Sequence, residues 1–379
     1  MDPIALTPDE RRSLEDARDI AATVLNAIAS SGTPGRVNRD LIRALAMHGP
    51  LSRLFPPAAG GTAEGGVSAL ELCLLREGLA QVSTEAETAL ALQGLGAYPI
   101  LLHGSEELVA RYVVPVARGE SVAAFALTEP EAGSDAAAIA LSAEREGGGY
   151  RLTGQKAWIS NAPDADVYTV FARTTPNAGA KGVTAFVVPG DAPGLSGEPQ
   201  ELLASHPIGR LTFDAVRTPA DHVLGEVDGG FRVAMTTLDL FRPSVGAFAV
   251  GMAQAALDAA TAYADGRRAF GRSIREFQAI SHVLADMATR VEAARLLVYA
   301  AARAHDAGRR ATKEAAMAKL YATETAQFVI DAAVQIHGAA ALERGHLLEH
   351  LFREVRATRI YEGTSEMQRE IIARELYRS

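Results

Sequence analysis

Between residues 121 and 228 the chain changes its hydrophobic period, and no other feature constrains the fold as strongly. Short β-rich runs there are separated by Gly, Pro, Asn and Asp. "GYRLTGQKAWIS" (149–160), "DVYTVFAR" (166–173), "GVTAFVVP" (182–189) and "GRLTFDAV" (209–216) read as strands with turn signals between them. They predict a small β-sandwich or barrel.

Helical spacing holds on both sides. Residues 1 to about 120 begin with "TPDERRSLEDARDIAATVLNAIA". Thr7 is placed to cap this segment, Pro8 takes the first helical position, and acids follow. Leu14, Ala17, Ile20, Ala21, Val24 and Leu25 keep helical spacing. "NRDLIRALAMHG", "GVSALELCLLREGLAQV" and "SEELVARYVVPVARG" are further helices. From 229 onward, Phe277, Ile280, Leu284, Met287, Val291, Ala294 and Val298 form one stripe. "TKEAAMAKLYATETAQFVIDAAVQIHG" is another long helix, stopped by Gly338. The expected layout is α+β and mainly α: helical domain 1–121, β-domain 122–228 and helical bundle 229–379. A cleft where such regions meet is a common place for a cofactor.

Charge narrows the function classes. The formal net charge of −9 disfavours a general nucleic-acid binder. Cys73 is the single cysteine among 379 residues, so no intrachain disulfide can form. It lies in the apolar run "ALELCLLREGLA" and reads as a buried small hydrophobe. The start "MDPIALTPDERR" lacks a basic-then-apolar leader, and the apolar stretch 243–264 carries Asp258 and reads as a core helix. A cytoplasmic protein with no membrane partner is the expectation.

Several motifs carry alternative readings. No G-x-G-x-x-G follows a strand, so a Rossmann site has no support. "HLLEH" (346–350) places His346 and His350 one helical turn apart around Glu349. That spacing suits zinc, but two ligands do not make a catalytic site, and a polar helix face explains it as well. No metal is expected. "FALTEPEAGSDA" (125–136) runs from a strand into a turn containing Thr128, Glu129, Gly133, Ser134 and Asp135. Hydroxyls and backbone N–H groups in such a turn either hold an anionic cofactor or cap a helix. Trp158 is the sole tryptophan; it packs in the core or lies against a flat cofactor. Arg267, Arg268, Arg272 and Arg275 form a solvated basic face or a pyrophosphate clamp. Glu362, in "RIYEGTSEMQREIIAR", taken alone is a surface acid.

Together these stretches resemble the acyl-CoA dehydrogenase family over essentially the whole chain. They run in order: "ALTEPEAGSDA", "GQKAWIS", "FDAVRTPADHVLGEVDGGF", "RRAFGRSIREFQAI", "LADMA", "KEAAMAKLYATE", "QIHG" and "RIYEGTSEMQREIIAR". The resemblance implies a helical domain, a β-domain and a C-terminal four-helix bundle. It also implies FAD, a homotetramer (or homodimer), an electron-transfer flavoprotein as partner, and oxidation of acyl-CoA to trans-2-enoyl-CoA.

Site roles follow from the same resemblance. Glu362 is the α-proton base, and its N–H helps hold the substrate carbonyl. Leu127, Thr128, Gly133 and Ser134 line the flavin or its pyrophosphate, Trp158 lies on the isoalloxazine, and Ser160 is near N5. Arg267, Phe270, Gln278, Gln335 and Gly338 hold FAD of a neighbouring subunit, and Thr364 and Glu366 add contacts. Ser134, Asp239, Phe241, Arg242, Tyr361 and Gly363 fall at substrate positions. Where some relatives carry the base on another helix, this chain has Phe241, which leaves Glu362.

Two departures stand out. Residues 338–341 read "GAAA" in place of the usual "GGxG", next to a histidine, His337, that reads as packed. His206-Pro207 interrupts a shortened β-domain segment. The same fold could also serve an oxidase, a desulfinase or an enzyme of carrier-protein thioesters, and a nucleic-acid-binding relative is disfavoured by charge.

Overall fold

The computed structural model describes residues 6–378. Among them, eight strands form one mixed sheet: β1 (Ala123–Ala126), β2 (Ser142–Glu146), β3 (Gly149–Ser160), β4 (Val167–Arg173), β5 (Val183–Pro189), β6 (Leu195–Pro199), β7 (Ile208–Pro219) and β8 (Val223–Leu224). The order is β6-β7-β3-β2-β4-β5-β8, with β1 parallel to β4. The four runs read from the sequence are β3, β4, β5 and β7. The barrel expectation is corrected: β6 and β8 end the path, so the sheet does not close on itself. The short strands β1, β2 and β6 carry too little alternation to be read alone.

The chain packs as two compact units. One comprises Val24–Val67 and Thr88–Leu238, and the other Met1–Thr23, Ser68–Glu87 and Asp239–Ser379.

In the first unit, β4 and β5 are buried along nearly their whole length. Such continuous apolar strands are covered on both faces. The Thr84–His103 helix, whose Gly94, Gly96 and Pro99 hide its period, supplies Gln93 and Gly96 to this sheet. Gln93 Oε1 accepts the Ala123 N–H at 2.9 Å, and Thr169 Oγ1 donates to Gly96 O at 2.8 Å. A Cβ on Gly96 would stand 2.6 Å from Ala124 N, so only glycine allows this approach. Arg39 donates to the Asp166 carboxylate at 2.7 and 3.0 Å, tying the Arg39–Met47 helix to the same sheet end.

The second unit is a helical bundle. The Gln278–Asp306, Thr312–His337, Leu347–Thr358 and Ser365–Leu376 helices pack with Ala69–Ala80 and the bundle part of Gly230–Gly266. Alanines dominate the contacts, and small side chains let helix axes approach. The first helix, Pro8–Ile20, starts with the expected Thr7 cap, which Glu10 completes into a capping box. Gly230–Gly266 is long and apolar enough to cross a membrane, yet 61% of its most apolar window is buried inside the protein. The stripe on Gln278–Asp306 is buried at Met287, Val291, Ala294 and Val298 but only half-buried at Ile280 and Leu284.

Candidate active site

The sheet unit builds one constellation where β1 runs out. Leu127 O and the Glu129 carboxylate both accept from Lys156 Nζ, each at 2.8 Å. Glu129 also accepts the N–H groups of Ala140 at 2.6 Å and Leu141 at 3.0 Å. Lys156 is fully buried; desolvation pushes its ammonium down to about 8, against the pull of Glu129. This pair fixes the turn from inside. Thr128 O is held by the Ala157 N–H at 3.0 Å, so the backbone at Thr128 cannot drift. Gly133, Ser134 and Asp135 face solvent, and Asp135 heads a short 3-10 turn without a side-chain cap. Asp135 thus starts a turn, as the local reading has it, but no side-chain cap closes it, and the exposed Gly133 and Ser134 leave room for a ligand.

Trp158 lies on this unit in an unusual state. It is 46% exposed with φ +54°, inside a bulge where β3 loses register with β7 between Lys156 and Ile159. A bulky residue in left-handed backbone costs about 1–3 kcal/mol and persists where its surroundings over-determine it. Gln200 Oε1 takes the Trp158 N–H at 2.9 Å. Two residues on, Ser160 Oγ meets His206 Nε2 at 3.0 Å. An exposed flat indole, a nearby hydroxyl and an open polar turn fit a flat, anionic cofactor such as a flavin dinucleotide.

The bundle unit builds a second constellation around Glu362. The Leu347–Thr358 helix ends, the chain turns, and Thr364 caps Ser365–Leu376 by accepting the Met367 N–H at 3.3 Å. Between them Glu362 has φ +52° and Gly363 φ +91°. The turn is clamped: Lys319 Nζ donates to Gly363 O at 2.7 Å, and Gln368 Nε2 donates to Glu362 O at 3.1 Å and Gly363 O at 3.0 Å. The result points the Glu362 side chain without satisfying it. Its Oε2 is buried and has no hydrogen-bond partner among the described residues. The residue as a whole is only half-buried, so one face stays approachable while that oxygen is sealed. Desolvation raises the carboxyl above its usual range, and Arg76, Arg242 and Lys319 pull it back.

Those three cations are themselves positioned. Arg76 forms a fully buried ion pair with Glu87 and donates to Ser244 Oγ at 2.6 Å. Arg242 donates to Asp239 at 2.6 Å, so these two residues, expected at substrate positions, form an ion pair with each other. Asp239 is raised by burial, against the pull of Arg242. Lys319 is buried, and desolvation pushes its ammonium down to about 8. Phe241 is buried, and Tyr361 is exposed beside the base. The sequence reading missed Arg76, Glu87 and Lys319. For Arg76 and Glu87 the signal was there: charges inside runs with no polar face must be buried and paired.

Arg267, Phe270, Gln278, Gln335 and Gly338 lie toward one end of the bundle. Arg268–Ala269 and Arg272–Ser273 pair as a hairpin whose tip is Phe270, 95% exposed at φ +50°, and Gly271. Arg275 pairs with Asp265, and Arg272 lies over Phe277 at 4.1 Å, so these two arginines have internal duties. Arg267 and Gln278 are exposed. Tyr263 stacks on His337 at 4.2 Å, which brings Arg267 to the same end as Gln335 and Gly338. Gly338, at φ +64°, is open to a ligand's approach. Glu366 is exposed two residues past the Thr364 cap, next to Ser365, which donates to Glu324 at 2.6 Å. The "HLLEH" side chains are otherwise engaged: His346 Nδ1 caps its own helix, His350 meets Thr84 at 2.6 Å, and Glu349 pairs with Arg353 at 2.7 Å.

Comparison with known proteins identifies the family. The acyl-CoA dehydrogenase N-terminal, middle and C-terminal domain models match residues 7–120, 124–216 and 228–377. The chain is 39% identical to a 3-(aryl)acrylate reductase of Clostridium sporogenes, over 95% of this chain and 96% of that one. It is 37% identical to the caffeyl-CoA reductase-Etf complex subunit CarC of Acetobacterium woodii, over 94% and 93%. The butyryl-CoA dehydrogenase structure from Megasphaera elsdenii superimposes with a TM-score of 0.94 at 35% identity, covering both chains fully. With three domain models in register and relatives matched end to end, the chain belongs to the acyl-CoA dehydrogenase family, flavin-dependent oxidoreductases acting on CH–CH bonds.

Proposed function

We propose that the protein is an FAD-dependent acyl-CoA dehydrogenase in which Glu362 removes the α-proton of an acyl thioester. The carrying observation is Glu362 itself, a carboxylate with a buried, unpartnered Oε2 and a raised pKa. A base matched to a weakly acidic C–H needs this kind of environment. Its amide N–H has no acceptor among the described residues, which suits it to polarise the thioester carbonyl as charge develops. Arg76, Arg242 and Lys319 favour the ionised carboxylate, against the desolvation that disfavours it. Bound FAD supplies the hydride acceptor for the β-carbon. Leu127, Thr128, Gly133, Ser134, Trp158 and Ser160 would hold it from the sheet unit. Arg267, Phe270, Gln278, Gln335 and Gly338 would serve a neighbouring subunit of a homotetramer.

Similarity to two proteins named as reductases favours testing the reverse reaction, saturation of an aryl-conjugated enoyl thioester by the same residues. The name of the Etf-complex relative supports an electron-transfer flavoprotein as partner. The test is anaerobic mixing of the yellow holoprotein with a panel of acyl-CoAs. Flavin bleaching by at least one is expected, and Glu362→Gln should bind acyl-CoA yet reduce flavin about 10²–10⁴-fold more slowly. Bleaching by no acyl-CoA, together with no reoxidation of the reduced flavin by an enoyl-CoA, contradicts the proposal.

A further inference from the structure

The β6–β7 connection, residues 200–207, contributes two side chains to β3 next to the expected flavin face. Gln200 Oε1 accepts the Trp158 N–H, and His206 Nε2 lies 3.0 Å from Ser160 Oγ. Anchoring the connection does not require the imidazole. Its ends are already pinned by backbone bonds, Gln200 N–H to Ile208 O at 2.8 Å and Asn161 N–H to Pro207 O at 2.7 Å. The histidine is therefore surplus to loop closure, and its one hydrogen bond goes to the single hydroxyl that follows Trp158 on the strand.

We propose that His206 is a positioning residue that orients the Ser160 hydroxyl toward the flavin. This rests on the reading above that places Ser160 beside that cofactor. Burial pushes the imidazole down to about 4, so it is neutral under ordinary conditions. A neutral imidazole nitrogen either donates or accepts, according to tautomer. When Nε2–H donates into Oγ, the serine O–H is directed outward to an acceptor. When Nε2 accepts from the serine, the remaining Oγ lone pairs face a donor. One side chain thereby lets Ser160 meet either hydrogen-bonding character at the cofactor edge, which a charged or purely donating neighbour could not do.

The test uses holoprotein variants and measures the flavin's visible spectrum and its reduction equilibrium against a reference dye. H206F removes the hydrogen bond while keeping a ring, and H206N, whose amide ends short of Ser160, does so if H206F fails to fold. Either should shift the equilibrium by about two- to tenfold, the worth of one hydrogen bond. H206Q, which returns a polar atom near the Nε2 position, should restore most of it. In an S160A background H206F should add nothing. A variant that changes only the thermal midpoint, or an H206F shift that persists undiminished in S160A, overturns the proposal. If S160A leaves spectrum and equilibrium unmoved, the placement of Ser160 falls and the proposal with it. Loss of acyl-CoA oxidation with these shifts intact would count against the reaction alone.

Discussion

Glu129 in the sheet unit and Glu362 in the bundle unit are both carboxylates withdrawn from water near cations, and they end in opposite states. Both oxygens of Glu129 are occupied, by Lys156 Nζ and two backbone N–H groups. Glu362 keeps a sealed oxygen without a partner, and three cations act on it only through space. The first arrangement holds a turn still; the second leaves an oxygen unused, which suits the base role proposed for it. Nearness to positive charge is common to both. What separates structure from chemistry is whether the lone pairs are already used.

Breaking the satisfied pair should give the largest effect on stability. Lys156→Met leaves the Glu129 charge buried without its counterion and should cost about 3–5 kcal/mol in urea unfolding. Glu362→Gln should go the other way, with an unfolding midpoint unchanged or raised, because a neutral amide replaces a desolvated charge. The pH dependence sharpens this contrast. Between the ordinary carboxyl value of 4.5 and its raised native one, Glu362 holds a proton that the unfolded chain has released. Its contribution to stability is thus lost as pH rises through that window, and Glu362→Gln should flatten that part of the profile. Lys319→Met removes one of the three cations, so the acid limb of flavin reduction should move to higher pH. The smallest effect is expected for Thr364→Ala, about 1 kcal/mol from the lost helix cap, measured by thermal unfolding.

Much of this was legible before any coordinates. Turn residues and alternation located four strands, and Thr7 with Pro8 located the first helix start, because these signals are local. The Thr84–His103 helix was not legible, since glycines and a proline interrupt a pattern that tertiary packing restores. In the site, "YEGT" pointed to Glu362 through resemblance. Its unpaired state could not be read, because Arg76, Lys319 and Arg242 reach it across long sequence separations. The same holds for His206, whose partner Ser160 is 46 residues away. Phe270 is an instructive middle case. Its glycine neighbour marks a tight hairpin, but only the backbone shows a phenylalanine held outward at φ +50°.

The most direct test of the central claim measures one sample twice, comparing Glu362→Gln and Lys156→Met with the unmodified protein. Anaerobic flavin reduction by acyl-CoA and the urea midpoint are recorded together. The account expects Glu362→Gln to keep its stability and lose reduction, and Lys156→Met to lose stability while its folded fraction still reduces flavin. A Glu362→Gln protein that reduces flavin at the unmodified rate would contradict it.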